Sequence, residues 1–233
     1  MGLACSLPDG RTVSIADEAA DRLLCGVIVI DPVEVNENTG AAEDSVALAP
    51  SLREKHEGKL PSEIAGLTEA RQLYKSFGMD PSRHRPSSEA LLRRVLKGQD
   101  LYRINNAVDS CNLSSLSMLL PIGMYDLALV QGDVQLRTGA AGEEYPGIRK
   151  GPVHLEGRLG LFDREGPFGS PTSDSARTSV STRTRGILAV IMATAGYPSG
   201  QMQGNLELFS EIFGRHCGGT TAFQGVIGRG EVA

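Results

Sequence analysis

A chain of 233 residues with 40% hydrophobic content can bury a sizeable core, and it suits one large domain or one domain with an extra lobe. Its net charge of -5 argues against a cation-coated surface for indiscriminate nucleic-acid binding. Its longest apolar runs, Cys25 to Ile30 and Ile187 to Thr194, are too short to span a bilayer, so no membrane partner is expected.

No secretory signal precedes Asp9, and the opening MGLACS matches an acylation pattern too short to carry weight. Cys5, Cys25, Cys111 and Cys217 are scattered, without metal-ligand spacing or the density of a disulfide scaffold, which implies free thiols in a reducing, cytoplasmic setting. Cys25 to Ile30 predicts a buried strand that stops at Asp31 and Pro32. A polar, turn-rich stretch from Asn36 to Asp44 predicts an exposed loop. From Ser62 to Phe77 the pattern is helical, closed by Gly78 and Pro81.

Ser87 or Ser88 is expected to cap the next helix, in which Leu91, Leu92, Val95 and Leu96 form an apolar stripe while Arg93, Arg94 and Lys97 point elsewhere, and Gly98 ends it. Between Arg83 and Arg103 the cations Arg83, Arg85, Arg93, Arg94, Lys97 and Arg103 face only Glu89 and Asp100, so this segment runs against the acidic average. It suits either a solvated helix face or contacts to phosphate.

A further helix is predicted from about Asn106 to Leu119. At about 100° per residue, Asn105, Asp109, Asn112 and Leu116 fall in one narrow arc flanked by Val108, Leu119 and Leu120, while Ser110, Ser114 and Ser117 gather on the side expected to be solvated. A carboxylate and two amides among leucines cost roughly 1 to 3 kcal/mol each if left unpaired, so either the fold or a polar ligand must satisfy them.

Pro121 and Gly123 then predict a turn, with Tyr125 to Arg137 and Leu159 to Asp163 as strands of a sheet. Gly166 to Ser175 predicts a loop, Gly186 to Thr194 an apolar strand, and Leu206, Phe209, Ile212 and Phe213 the core face of a last helix, with a flexible tail from Gly218. There is no dinucleotide fingerprint, P-loop, GxSxG elbow or HExxH grouping, so no cofactor and no metal is expected. Any chemistry then rests on positioning water and substrate, which points to hydrolysis of an already reactive bond. Three elements could converge on the polar stripe: Arg85, Ser87, Ser88 and Glu89 at a helix start; Tyr125 and Asp126; and Asp174, Ser175, Arg177 and Thr178. Local capping or turn chemistry would account for each by itself.

These residues resemble the B3/B4 domain of the phenylalanyl-tRNA synthetase β subunit and its freestanding relatives. The resemblance runs through Arg103, Ile104, Asn105, Asn106, Val108, Asp109 and Asn112, then Leu116, Pro121, Tyr125, Asp126 and Leu127. The freestanding relatives are similar also at Arg85 to Arg94 and Gly169 to Thr178. The match spans about 83–191, with segment 1–82 and a helix over 203–217 expected to pack on it within a single domain of 1–233, and 218–233 as tail. The resemblance implies an α/β (α+β) domain with helices packed around a β-sandwich-like sheet, and an association with tRNA. The synthetase domain hydrolyses tyrosine wrongly joined to the phenylalanine tRNA, because an apolar synthesis pocket rejects an analogue that only adds a hydroxyl by about a hundredfold. Three positions depart from that domain: Gly123 replaces a histidine, Arg177 falls where a glutamate stands, and Cys111 replaces a threonine.

The expectation is therefore a freestanding, editing-type ester hydrolase acting on mischarged aminoacyl-tRNA in trans, with no metal or covalent intermediate. Asp109, Asn112, Ser87 and Asp174 are the candidate catalytic residues. Asn105, Asn106, Tyr125, Ser175, Arg177 and Thr178 are candidates for holding substrate, and Arg85, Arg93, Arg94 and Lys97 for meeting tRNA phosphates. The alternatives are a non-catalytic module that binds RNA or an amino-acid-like ligand, and a protein-interaction subunit of a synthetase complex.

Overall fold

The two apolar runs become the centre of a sheet. In the computed structural model, which describes residues 2–148 and 151–229, β1 (Ala4–Ser6) and β2 (Thr12–Ile15) precede β3 (Leu24–Ile30). Four helices follow: α1 (Gly40–His56), α2 (Ala65–Ser76), α3 (Ser87–Leu96) and α4 (Asn106–Met118). Next come β4 (Ile122–Asp126), β5 (Val134–Thr138), β6 (Glu144–Pro146), β7 (Pro152–His154), β8 (Leu159–Asp163), β9 (Gly166–Ser170) and β10 (Ser173–Asp174). The chain closes with β11 (Ile187–Ala193), α5 (Ser199–Cys217) and β12 (Thr221–Gly228).

These strands make a four-stranded sheet in the order β12-β3-β11-β4, a six-stranded sheet β1-β2-β5-β8-β9-β10, and the pair β6-β7. Every residue of β3 and β11 is buried because both faces of the four-stranded sheet are covered. One face sends Cys25, Val27, Val29, Leu188 and Val190 toward Val13, Leu136, Leu161 and Phe168 of the six-stranded sheet. The other sends Leu24, Ile28, Ile187 and Ile191 against Met202, Leu206, Phe209 and Phe213 of α5 and Met118 of α4. Gly26 lets α5 lie close on β3: a side chain there would begin 2.9 Å from the Met202 sulfur. A further cluster joins α1, α3 and α4 through Leu52, Leu92, Val95 and Leu116. The architecture is mixed α/β, with a sandwich of two sheets backed by helices.

Several local expectations are corrected. The loop to Asp44 gives way at Gly40 to α1, whose buried face is mostly small, with Ala41, Ala42, Ser45 and Ala49, and so left little apolar periodicity to detect. Neither Ser87 nor Ser88 caps α3; Pro86 holds the N-cap position and no side chain closes it. Gly123 lies inside β4 rather than in a turn, and the stretch predicted as one strand from Tyr125 to Arg137 is interrupted between Asp126 and Val134. The expected loop from Gly166 folds as the antiparallel pair β9-β10. The expected tail contains β12, which covers the free edge of β3; its glycines hid a strand that an unpaired sheet edge recruits. The end of that predicted tail, 230–233, lies outside the described residues.

Candidate functional site

The start of α4 is built by reciprocal capping. The Asn105 side chain accepts from the Val108 amide at 2.9 Å, and Asp109 accepts from the Ile104 amide at 3.1 Å. Asn106 is saturated: its amide donates to the carbonyls of Glu34 at 2.9 Å and His216 at 3.0 Å and accepts from the Asn36 amide at 2.8 Å. It ties three segments together. Asp109 is 3% exposed, and burial raises its pKa against the lowering influence of the Ile104 amide and Arg103. The serines do not behave as expected. Ser110 and Ser114 are fully buried, Ser110 against Cys217 of α5 and Ser114 bonded to the Ser110 carbonyl, and only Ser117 is exposed.

A cavity of about 440 Å³ opens beside α4, a volume typical of small-molecule sites. Val108, Cys111, Asn112 and Ser115 of α4 form one wall, Ser87 and Leu91 of α3 a second, and Ile122 and Met124 of β4 a third. Asp174 of β10, with Ser179 and Val180, closes it, while Ile104 and Ile148 stand at its exposed margin. The site therefore joins an apolar lining to a few convergent polar groups. Around the axis of α4 the cavity faces the side next to the predicted arc. Asn112 belongs to both; Asn105 and Asp109 face away into capping roles.

Asp174 and Tyr125 share the inner end. Tyr125 is fully buried and meets Phe168 edge to face with ring centroids 4.7 Å apart. Its hydroxyl lies near enough to Asp174 to lower that carboxyl's pKa, without making a hydrogen bond of normal geometry. Burial dominates and pushes the Asp174 pKa up to about 7, with Tyr125 and the Met124 amide opposing. Asp174 keeps some exposed surface toward the cavity, which tempers that burial. The Tyr125 hydroxyl is raised well above its ordinary value by burial and by Asp174.

The remaining predicted residues lie elsewhere or have partners. Ser175 is buried, and its hydroxyl accepts from the Arg177 amide at 3.0 Å. Arg177 grips Asp163 through two bonds of 3.0 and 2.8 Å, pointing away from the cavity lining. Thr178 is fully buried, its hydroxyl unpartnered and its carbonyl accepting from Asp126 on the open edge of β4. Glu89, fully buried, collects Arg71 at 2.7 Å, Arg93 at 2.8 Å and Arg85 at 3.7 Å. Arg94 bonds the Asp100 carbonyl at 2.6 Å and stacks on Tyr102, while Lys97 is exposed. Of the residues singled out in the sequence, Ser87, Asn112 and Asp174 meet at the cavity. Cys111, one of the three departures from the synthetase domain, lines it too. Missed there were Ser115 and the Ile122 and Met124 pair, whose two-residue alternation was hidden by treating Gly123 as a turn. Among the described residues, no group of three or more His, Cys, Asp or Glu is placed to hold a metal, and no helix is long and apolar enough to cross a membrane.

A family model described as the B3/4 domain matches residues 69–215. Among solved structures, the chain is similar to a crystallised N-terminal fragment of the phenylalanyl-tRNA synthetase beta-subunit from Pyrococcus horikoshii, with 12% identity and a TM-score of 0.48. That alignment covers 92% of this chain and 53% of the fragment, so the chain spans about half the length of that structure. No curated protein matches the chain.

Proposed function

The chain belongs to the B3/4 domain family, and on that premise we propose that it receives the acylated end of a transfer RNA and hydrolyses the ester in trans. The observation that carries this reading is the meeting of Ser87, Asn112 and Asp174 across an apolar cavity of about 440 Å³. An aminoacyl ester needs these same features: an apolar space for a side chain, donors for a carbonyl oxygen, and a base for water.

With its pKa near 7, Asp174 is ionised in part at neutral pH and can take a proton from a water molecule. The water oxygen bonds to the ester carbonyl carbon, and the developing oxyanion is met by the Asn112 amide and the Ser87 hydroxyl at the start of α3. Collapse breaks the bond to the ribose oxygen, which takes the proton held by Asp174, releasing amino acid and tRNA. Asp109 is a positioning residue in this scheme: it holds the Ile104 amide, and Ile104 stands at the cavity margin.

A panel of mischarged aminoacyl-tRNAs tests the proposal and identifies the side chain at once. Asp174→Asn should lower the rate by about 10² or more and Asn112→Ala by roughly 10- to 100-fold. Unchanged rates in both variants would end the assignment. A second reading, a binding module without hydrolysis, is favoured by Gly123 and Arg177, neither of which presents a side-chain group to the cavity. Salt-dependent tRNA binding with no ester cleavage across the panel would select it.

A further inference from the structure

The face of α3 that lines the cavity continues beyond it. Ser87 and Leu91 line it, and Arg94, the next residue on that face, lies one turn beyond Leu91. There Arg94 places its guanidinium carbon 4.1 Å from the centre of the Tyr102 ring and donates to the Tyr102 hydroxyl at 3.2 Å. Its Nε is anchored on the Asp100 carbonyl at 2.6 Å, so the ring is held rather than free. Tyr102 is nonetheless 68% exposed, which with Arg94 on one face leaves the other open to solvent. Two residues on, Ile104 is 52% exposed and borders the cavity.

The ring is exposed and held in place by an arginine, and its surroundings indicate what it meets. The segment from Arg83 to Arg103 carries six cations and two carboxylates on a chain of net charge -5. Lys97 and Arg103 are exposed and make no ion pair among the described residues. A π-face beside unpaired cations, on the path into a cavity, is the arrangement that binds unpaired nucleotides, since every base offers a stacking face and its phosphate a charge.

We infer that the Tyr102–Arg94 pair is a stacking platform for an unpaired nucleotide of single-stranded RNA, and that it guides a strand end toward the cavity edge at Ile104. The choice of RNA rests on the proposed function; the platform does not require hydrolysis. Lys97 and Arg103 supply the phosphate contacts that Arg85 and Arg93, held by Glu89, supply less freely.

The test uses the full chain and an unacylated RNA of about four nucleotides carrying 2-aminopurine, whose fluorescence is quenched on stacking. Binding should quench the probe, and Tyr102→Ala should abolish quenching and weaken binding roughly 5- to 150-fold, the span of base–aromatic stacking. Tyr102→Phe should retain both, and a fully paired RNA of equal length should compete poorly. Thermal melts of each variant separate misfolding from loss of the platform. Absence of quenching in the unsubstituted protein, or equal binding by Tyr102→Ala, overturns the inference. Because no ester is present, an inactive Asp174→Asn variant that still quenches the probe keeps this result distinct from the hydrolytic one.

Discussion

The hydroxyl of Tyr125 occupies the space that a side chain at residue 123 would fill. A Cβ at Gly123 would collide with that hydroxyl and lie 2.8 Å from the Tyr125 ring carbon bearing it, and a Cβ at Gly169, across in the other large sheet, would collide as well. The two glycines thus clear a slot through which the phenol reaches Asp174. Where the resembling synthetase domain carries a histidine, this fold gives the room to Tyr125.

Gly123→Ala should therefore destabilise the protein by about 1–3 kcal/mol, the usual cost of overpacking a dense core. Adding Tyr125→Phe should recover only part of that loss, because the ring carbon remains in the way. Denaturant melts of both single variants and the double variant measure the coupling. Simple additivity would contradict the shared slot.

Asp174 makes stability depend on pH with an unusual sign. Its folded pKa, near 7, lies above the ordinary 3.8, so the native state binds more protons than the unfolded chain between about pH 4 and 7. This group's contribution is fully present below pH 4, is lost as pH rises through 7, and is constant above. Asp174→Asn should remove that slope and gain about 1–2 kcal/mol at pH 8. The full three-unit shift would set a ceiling near 4 kcal/mol, which solvent entering from the cavity reduces. Over the same range the hydrolytic rate should climb with the ionised fraction, so stability and activity move in opposite directions. Parallel trends would remove Asp174 as the base.

Glu89 is a buried carboxylate serving three arginines whose side chains remain 20%, 40% and 46% exposed. Glu89→Ala should cost about 2–3 kcal/mol, less than a fully buried pair would, since the stranded guanidiniums can reach water. It should also free Arg85 and Arg93 for phosphate, steepening the salt dependence of RNA binding. An unchanged melting temperature would show that the cluster is not structural.

Asp109 offers a separation of roles. Asp109→Asn keeps an acceptor for the Ile104 amide and should alter stability by less than about 0.5 kcal/mol, whereas Asp109→Ala should cost roughly 1–2 kcal/mol through the start of α4. If Asp109 acts through position alone, hydrolysis should follow the same order. A large loss of activity in the Asn variant at normal stability would assign it direct chemistry.

Legibility of the sequence varied with the range of the forces involved. The strands at β3 and β11 were readable as unbroken apolar runs, and the helix α4 and the core face of α5 from residues that recur at helical spacing. The polar arc of α4 was readable too, but its meaning was not. Asn105 and Asp109 spend their hydrogen bonds on the helix start, while the cavity opens one face over, where α3 and the edge of β4 leave a gap. The serines at 110 and 114 were assigned to water because nothing local announced that tertiary packing would bury them, Ser110 against Cys217 of α5.

Composition and periodicity determined which segments could form a core and that a carboxylate and amides would be carried on a helix among leucines. They also set the local excess of cations between Arg83 and Arg103. Only the tertiary structure decided that Ser87, Asn112 and Asp174 share one cavity, that Arg85 and Arg93 are held by Glu89, and that Arg94 stiffens Tyr102. Periodicity reports the faces of one element at a time, whereas a cavity is the space that several elements leave between them, set by how their side chains exclude one another.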